Sequence, residues 1–147
     1  MTALMLFTDL DGTLLNPTSY RYDGALPVLE RMKAANMPVI PVTSKTRAEV
    51  ETLIQEIGLT DPFVVENGSA IYIPRDTCPY ALPDGEDDGP YRVVPLGVTY
   101  VMARAGLKAI AQEIGRPLKG FGDWSIEQIQ QLTGLDAKDA KEAKMRE

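Results

Sequence analysis

Histidine is absent from the 147 residues of the chain, and cysteine occurs once, at Cys78. Without histidine, a general acid or base must be a carboxylate, lysine, tyrosine or cysteine. This excludes serine–histidine–aspartate hydrolysis and histidine-ligated zinc within the chain. A single cysteine also excludes an internal disulfide. Its position in a turn-rich stretch, between Arg75 and Pro79, is typical of a loop thiol rather than a nucleophile.

Basic charge and long apolar runs are also scarce. The net charge is -6 and the isoelectric point is about 4.7, so nucleic-acid binding is not expected as a main role. No apolar run approaches the ~20 residues of a membrane span, and the N-terminus lacks the features of a signal peptide. We therefore expect a cytoplasmic protein without a membrane partner. Its length fits one domain or two small ones.

The stretch from Ala3 to Leu15 contains the most informative pattern. An apolar run, Ala3 to Phe7, leads into the string D-L-D-G-T-L-L, which begins at Asp9. Such a run is typical of a strand buried on both faces and followed by a loop. Asp9 and Asp11 are two residues apart, so in an extended chain they point the same way. Their repulsion is offset by a bound cation or a shared proton. The alternative is a turn in which aspartate occurs twice.

Helix and strand patterns alternate after this loop. Helical spacing over 24–36 precedes a short apolar strand at 39–42, in which Pro41 is unusual for a central strand. A capping box at Thr46–Glu49 starts the next helix, and a third strand covers 62–65. This β-α-β-α-β order predicts a parallel α/β sheet whose strand ends meet at one edge, where ligands bind in such sheets. The polar residues at the three strand ends are Asp9, Asp11, Thr43, Ser44, Glu66 and Asn67.

The second half of the chain has weaker signals. Segments 70–74 and 91–95 can pair as a hairpin, and the Pro-, Gly- and Asp-rich stretch between them, 75–90, is expected to be a long loop with solvated acidic residues. Helical patterns cover 98–115, a segment capped by Ser125, and a charged tail at 137–147.

The residues at the strand ends suit phosphoryl transfer to a carboxylate. Asp9 would attack phosphorus and form an aspartyl-phosphate intermediate. A divalent cation is then required to offset the charge repulsion, and Mg²⁺ prefers such oxygen ligands. Asp11 would protonate the leaving alkoxide and later deprotonate the hydrolytic water. Thr43 would donate a hydrogen bond to a phosphate oxygen, with Ser44 as the close competitor.

Each of these polar segments also has a simpler interpretation. Thr43 and Ser44 are good helix-capping residues without any ligand. Glu66, Asn67 and Gly68 are typical of a strand-end turn. The order in which the segments follow the first motif favours the catalytic interpretation.

Four segments resemble the N-terminal part of the mannosyl-3-phosphoglycerate phosphatase family, within the haloacid-dehalogenase (HAD) superfamily of phosphotransferases. They are F-T-D-L-D-G-T-L-L at 7–15, P-V-T-S-K-T-R-A-E at 41–49, P-F-V-V-E-N-G-S-A-I-Y-I-P at 62–74 and G-F-G-D-W-S at 120–125. The first identifies the superfamily only. The T-S-K-T-R-A-E segment is more particular, since most related sugar phosphatases have T-G-R there.

The resemblance implies a Rossmann-like HAD core of the α/β class. Residues 1–95 would contribute three strands of a larger parallel sheet together with a hairpin, and residues 96–147 part of an α+β cap domain. The implied reaction releases mannosylglycerate from its phosphorylated precursor. Its nucleophile would be Asp9 and its acid/base Asp11, with Mg²⁺ held by Asp9 and the Asp11 carbonyl. Phosphate or substrate contacts would come from Thr43, Ser44, Lys45, Arg47, Glu66 and Asn67.

The resemblance also shows a departure. The family has a lysine that neutralises the phosphate and a G-D-x-x-N-D motif that completes the metal site, and neither is found in these residues. We therefore expect the 147-residue chain alone to be poorly active, with an apolar sheet edge at 3–7 that invites self-association or a complementary chain. Two alternatives stay open: another HAD sugar-phosphate phosphatase, or a truncated, non-catalytic half-protein.

Overall fold

The computed structural model describes residues 4–79 and 81–146, and begins with a parallel strand pair. Strand β1 (Leu6–Thr8) pairs with β2 (Val39–Pro41), and helix α1 (Leu26–Ala34) connects them. Strand β3 (Phe63–Val65) lies beyond β2, as the predicted β-α-β-α-β order requires. The β2–β3 contact is a single parallel bridge between Val42 and Val64.

Pro41 explains why β2 and β3 pair so briefly. The N–H of Val42 donates to the Thr8 carbonyl at 2.8 Å, toward β1, and the N–H of Thr43 donates to the Val64 carbonyl at 3.1 Å, toward β3. Because successive residues of a strand point their N–H groups to opposite sides, position 41 faces β3. Proline has no N–H, so that hydrogen bond is missing.

A second, antiparallel sheet extends from β3 in the order β3-β4-β6-β5. Strands β4 (Ala70–Pro74) and β6 (Tyr91–Pro95) form the predicted hairpin, with Tyr72 opposite Val93. The segment 75–90, predicted to be a long loop, also contains a short strand, β5 (Glu86–Asp88), which pairs with β6.

The acidic residues of β5 are ion-paired rather than simply solvated. The Asp87 carboxylate lies 2.6 Å from the Arg92 Nε atom and 3.2 Å from the Arg75 Nη1 atom. Arg92 lies on β6 opposite Asp87, and Arg75 directly follows β4, so the charges help to hold β5 in place.

Helix α2 (Arg47–Ile57) begins and ends as its sequence predicts. The Thr46 hydroxyl accepts from the Glu49 N–H, and the Glu49 carboxylate accepts from the Thr46 N–H at 2.8 Å. Gly58 ends the helix at a φ of 76°, in the left-handed region that glycine tolerates best.

Three further helices follow: α3 (Tyr100–Glu113), α4 (Ile126–Thr133) and α5 (Ala137–Ala143), with a short 3-10 turn at Phe121–Asp123. The last helix ends at Ala143, so the expectation of a helix over 137–147 was too long. Helix α5 packs against α2, where the Thr46 hydroxyl donates to the Glu142 carbonyl at 2.9 Å. No helix in the described ranges is long and apolar enough to cross a membrane.

The main core lies between α1, α2 and the two sheets. Its aromatic centre is Phe63, which is fully buried, stacks on Tyr72 with ring centroids 5.2 Å apart and meets the edge of Tyr91 at 5.4 Å. The other fully or nearly buried members are Leu10, Leu14, Leu15, Leu29, Val39, Val50, Ile54 and Val65.

Strand β1 is not buried on both faces, contrary to the expectation from its apolar sequence. Leu4 is 62% exposed and Phe7 is 61% exposed, while Ala3 lies outside the described residues. The reason is that, among the described strands, β1 pairs with β2 alone. Its other edge and its apolar side chains are therefore left open, as expected for a sheet edge.

Candidate functional site

Backbone hydrogen bonds tie the three predicted strand ends into one site. The end of β1 is joined to the loop after β2 through the Val42–Thr8 bond described above. That loop, residues 43–46, is joined to the end of β3 twice. The Glu66 N–H donates to the Lys45 carbonyl at 3.0 Å, and the Asn67 N–H donates to the Thr43 carbonyl at 2.9 Å. The predicted convergence of strand ends is therefore present.

Asp9 and Asp11 lie on either side of Leu10. Leu10 between them is almost fully buried, whereas both aspartates are exposed. Gly12 follows at a φ of 76°, which turns the chain away from the site. Within the part of the chain that the structure describes, the Asp9 carboxylate has no hydrogen-bond or ion-pair partner. This carboxylate is thus available to an incoming group.

Asp11 has a partner, Lys45. The Lys45 Nζ atom lies 3.2 Å from Asp11 Oδ1 and 3.7 Å from Glu49 Oε1. The lysine side chain is only 17% exposed, so its charge is largely confined to these two carboxylates. Lys45 therefore orients the Asp11 carboxylate.

Thr43 and Ser44 differ in their setting. Thr43 is buried, and its hydroxyl accepts a hydrogen bond from the Lys45 N–H at 3.2 Å. A hydroxyl that accepts one bond can still donate its own hydrogen. Ser44 is exposed, and its carbonyl accepts from the Arg146 guanidinium at 2.9 Å. Of the two, only Thr43 has a hydroxyl fixed by the loop itself.

Glu66 and Asn67 adopt an unusual backbone conformation. Their φ angles are 48° and 59°, in the left-handed region that a glutamate rarely occupies. The two hydrogen bonds to the 43–46 loop hold them there. Such conformations persist only where neighbouring structure enforces them, and they cluster at functional sites.

Arg47 contacts residues of α2 and of the antiparallel sheet. Its guanidinium pairs with Glu51 at 2.9 Å and with Asp88 of β5, and lies over the rings of Tyr72 and Tyr91 at 5.0 and 5.4 Å. Partial burial disfavours its charge, but the hydrogen bonds to Glu51 and Asp88 outweigh this and raise the pKa of Arg47. A substrate contact by Arg47 stays a prediction, while its observed contacts stabilise the fold.

We expect Arg47→Met to destabilise the chain by about 1–3 kcal/mol, because it removes two ion pairs and two cation–π contacts at once. The measurement is urea unfolding followed by circular dichroism. The matched control is Arg21→Met, since among the described residues Arg21 pairs only with Asp23, and both side chains are more than half exposed. The free energy of unfolding of that variant should fall by less than ~1 kcal/mol. Equal losses in the two variants would contradict the structural role of Arg47.

The carboxylate and carbonyl oxygens at this site are the type of ligand that Mg²⁺ prefers. No group of three or more His, Cys, Asp or Glu side chains that could hold a metal occurs in the described ranges. Mg²⁺, however, is commonly held by one or two carboxylates together with waters and phosphate oxygens. The Asp9 carboxylate and the Asp11 carbonyl provide such ligands, while the Asp11 carboxylate is engaged by Lys45.

The sequence did not indicate two residues that lie near the site. Arg146 lies against the loop after β2 through its bond to Ser44 and stacks over Phe121 at 5.4 Å, although 102 residues separate it from Ser44. Tyr20 lies under the Lys45 ammonium at 5.7 Å and has a φ of 54°. Only the tertiary packing brings them here, and no local pattern in the sequence indicates it.

Comparison with known proteins identifies the family. A sequence profile of the haloacid dehalogenase-like hydrolases matches residues 6–82, which is more than half of the chain and includes every predicted site residue. The chain belongs to the haloacid dehalogenase-like hydrolases.

Individual HAD relatives are similar over nearly the whole chain. A glucosyl-3-phosphoglycerate/mannosyl-3-phosphoglycerate phosphatase from Methanococcoides burtonii is 43% identical over 97% of the chain and 53% of its own length. A mannosyl-3-phosphoglycerate phosphatase from Pyrococcus furiosus is 39% identical over 97% of the chain and 57% of its own length. The chain thus spans about half the length of these curated relatives.

Solved structures agree on the HAD fold. A protein from Bacteroides thetaiotaomicron, described among phosphatases of the haloalkanoate superfamily, has a TM-score of 0.59 at 15% identity over 92% of the chain and 48% of that protein. A haloacid dehalogenase-like hydrolase from B. subtilis has a TM-score of 0.54 at 15% identity over 95% of the chain and 49% of that protein. The predicted α/β fold of the HAD class is confirmed.

Proposed function

We propose that the chain carries the nucleophile half of a phosphomonoesterase. The observation that supports this most is the exposed Asp9 carboxylate, unpartnered in the described residues, at the end of β1 and two residues before Asp11, which pairs with Lys45. In this proposal Asp9 attacks the phosphorus atom of the substrate, forming an aspartyl-phosphate and releasing an alkoxide. Water then hydrolyses the aspartyl-phosphate to free Asp9 and inorganic phosphate.

The neighbouring residues take supporting roles. Asp11, oriented by Lys45 at 3.2 Å, gives a proton to the leaving alkoxide and takes one from the hydrolytic water. Thr43 donates its hydroxyl hydrogen to a phosphate oxygen. Ser44, Lys45, Glu66 and Asn67 line the same edge and contact the remainder of the substrate.

Mg²⁺ fits this proposal as the cofactor, held by the Asp9 carboxylate and the Asp11 carbonyl. When bound, it would offset the charge repulsion between a carboxylate nucleophile and a phosphate dianion. The chain's own part is to keep both aspartates at the end of β1, with the buried Leu10 side chain as the anchor between them.

The substrate class follows from the relatives. Their names specify mannosyl-3-phosphoglycerate and glucosyl-3-phosphoglycerate, both hexosyl derivatives of a phosphorylated three-carbon acid. We propose the same class here, with mannosylglycerate and phosphate as products. Another HAD sugar-phosphate phosphatase activity is the alternative, and a substrate panel separates the two. The expected cytoplasmic location stays a prediction.

The open, apolar edge of β1 supports one further proposal, a site completed by another polypeptide segment. We propose that residues 1–95 form part of a HAD core and 96–147 part of a cap, and that the open edge of β1 pairs with a complementary chain or with a second copy. A non-catalytic half-protein is the corresponding alternative function.

Association through β1 is testable by light scattering at increasing protein concentration. We expect the chain to self-associate and Leu6→Lys to reduce this, because a lysine on an exposed edge opposes strand pairing. The control, Val101→Lys, changes an exposed apolar residue of α3 and should associate like the unaltered chain. A chain that stays monomeric throughout, or equal association of both variants, would contradict pairing through β1.

Phosphate release from mannosyl-3-phosphoglycerate tests the proposed function. We expect slow release by the chain with Mg²⁺ and none with EDTA. Release that persists in EDTA would contradict the metal. The absence of release from folded protein would favour the half-protein alternative over an independently active enzyme.

A further inference from the structure

A cavity of about 430 Å³ lies at the edge of the parallel strand pair where β2 begins. We call it the α1/α2 cavity, because the C-terminal ends of both helices line it. Lys33 and Met37 belong to the end of α1 and the loop after it, and Gly58 and Leu59 to the end of α2. Small-molecule pockets commonly measure about 300–1,000 Å³, so this volume suits a small ligand.

The α1/α2 cavity lies at the opposite end of β2 from the candidate functional site. Val39, the first residue of β2, lines the cavity, whereas Thr43 follows the last residue of the strand. Four residues of extended chain span about 13 Å. Of the described residues that line the cavity, none belongs to the predicted catalytic or phosphate-contacting set. A ligand bound here is therefore separate from the substrate of the proposed reaction.

Hydrogen bonds between three chain segments fix the walls of the cavity. The Asp61 carboxylate accepts from the Val39 N–H at 2.9 Å, which joins the loop between α2 and β3 to the start of β2. The Thr77 hydroxyl donates to the Thr60 carbonyl at 2.9 Å, which joins the segment after β4 to the same loop. The cavity is thus formed before any ligand binds.

The charges around the cavity favour a cation. Among the described residues that line it, the carboxylates of Glu30 and Asp61 face one cationic side chain, Lys33. The C-terminus of α2 adds the negative end of a helix dipole, and no basic side chain lies in the last turn of this helix to offset it. An ammonium group near Gly58 would supply the missing positive charge.

We propose that the α1/α2 cavity binds a small organic cation, a protonated amine on a short apolar stem. The ammonium lies between the Asp61 carboxylate and the C-terminus of α2, where it can donate to carboxylate and carbonyl oxygens. The stem contacts apolar lining side chains, and burial of its methylene groups adds to the affinity. These side chains are Leu26, Leu29, Met37, Pro38, Ile57 and Leu59.

An NMR titration of the whole chain with hexylamine tests the amine site without any turnover. Hexylamine carries an ammonium at neutral pH, and hexanoate is the matched probe with a similar stem and the opposite charge. We expect hexylamine to shift the amide signals of Gly58, Leu59 and Thr77, and hexanoate to bind at least about tenfold more weakly. No shift with hexylamine, shifts confined to other parts of the chain, or equal binding of the two probes would overturn the proposal.

Two variants test where the ammonium binds. Asp61→Asn keeps an oxygen that can accept from the Val39 N–H but removes the charge, so hexylamine should bind about tenfold more weakly. Lys33→Gln removes the opposing cation and should strengthen binding about twofold to threefold. The control is Asp84→Asn, which removes an exposed carboxylate outside the cavity lining and should leave the affinity unchanged. Unchanged affinity in Asp61→Asn, or weaker binding by Lys33→Gln, in variants whose thermal midpoints show that they are folded would contradict the amine site.

Discussion

Asp9→Asn is expected to reduce Mg²⁺-dependent phosphate release by about 10³-fold or more, to the rate of a blank without protein. Asparagine keeps the size and position of the side chain after β1, but an amide oxygen is a poor nucleophile. The Asp9 side chain is exposed, and its carboxylate makes no hydrogen bond or ion pair within the described ranges, so its replacement should leave stability unchanged. The assay is phosphate release from mannosyl-3-phosphoglycerate at saturating Mg²⁺.

Asp11→Asn separates the acid/base role from the nucleophile. Loss of general acid catalysis should slow release by about 10²–10⁴-fold with the sugar substrate. The leaving group of p-nitrophenyl phosphate needs no proton. With this substrate, Asp11→Asn should slow the formation of the aspartyl-phosphate much less, whereas Asp9→Asn should abolish turnover. The control is Asp23→Asn, which changes an exposed aspartate whose one ion pair in the described part of the chain is with Arg21. Residual turnover by Asp9→Asn on either substrate would remove Asp9 from the nucleophile role.

Phe63→Ala is expected to lower the free energy of unfolding by about 3–5 kcal/mol, the range for truncating a buried phenylalanine, or to leave most molecules unfolded. Phe63 is fully buried, stacks on Tyr72 and meets the edge of Tyr91, so two rings that cannot collapse easily bound the cavity left behind. Urea unfolding followed by circular dichroism measures the loss. Because β3 ends at Glu66 and Asn67, the candidate site should be lost with it.

Phe7→Ala is the matched control, because it is the same substitution on the exposed strand β1. Phe7 is 61% exposed, so Phe7→Ala should lower the free energy of unfolding by less than about 1 kcal/mol. Similar losses in the two variants would mean that β1 is covered in solution, which would support pairing of its open edge. A loss below ~1 kcal/mol in Phe63→Ala would contradict the described core.

Local chemistry made much of this fold predictable. The capping boxes at Thr46–Glu49 and Ser125–Gln128 satisfy helix N–H groups with side chains three residues apart, so the sequence alone indicates both helix starts. Gly58 and Gly134 likewise end their helices in the left-handed conformation. The convergence of the strand ends follows from the β-α-β-α-β order.

Long-range contacts account for what the sequence did not reveal. Strand β5 is highly acidic and has little strand propensity, but arginines at positions 47, 75 and 92 stabilise it from neighbouring segments. The pairing of Lys45 with Asp11 and the placement of α5 beside α2 depend on how the helices pack. The exposure of β1 depends on which strands lie beside it, which an apolar run alone does not specify.

The most direct measurement is to trap the covalent intermediate. The chain is mixed with mannosyl-3-phosphoglycerate and Mg²⁺, quenched in acid within the time of one turnover, digested and analysed by mass spectrometry. The account predicts one added phosphoryl group on the peptide that contains Asp9, removed by hydroxylamine and absent from Asp9→Asn. Phosphate release without any phosphorylated peptide, or phosphorylation at another residue, would contradict Asp9 as the nucleophile.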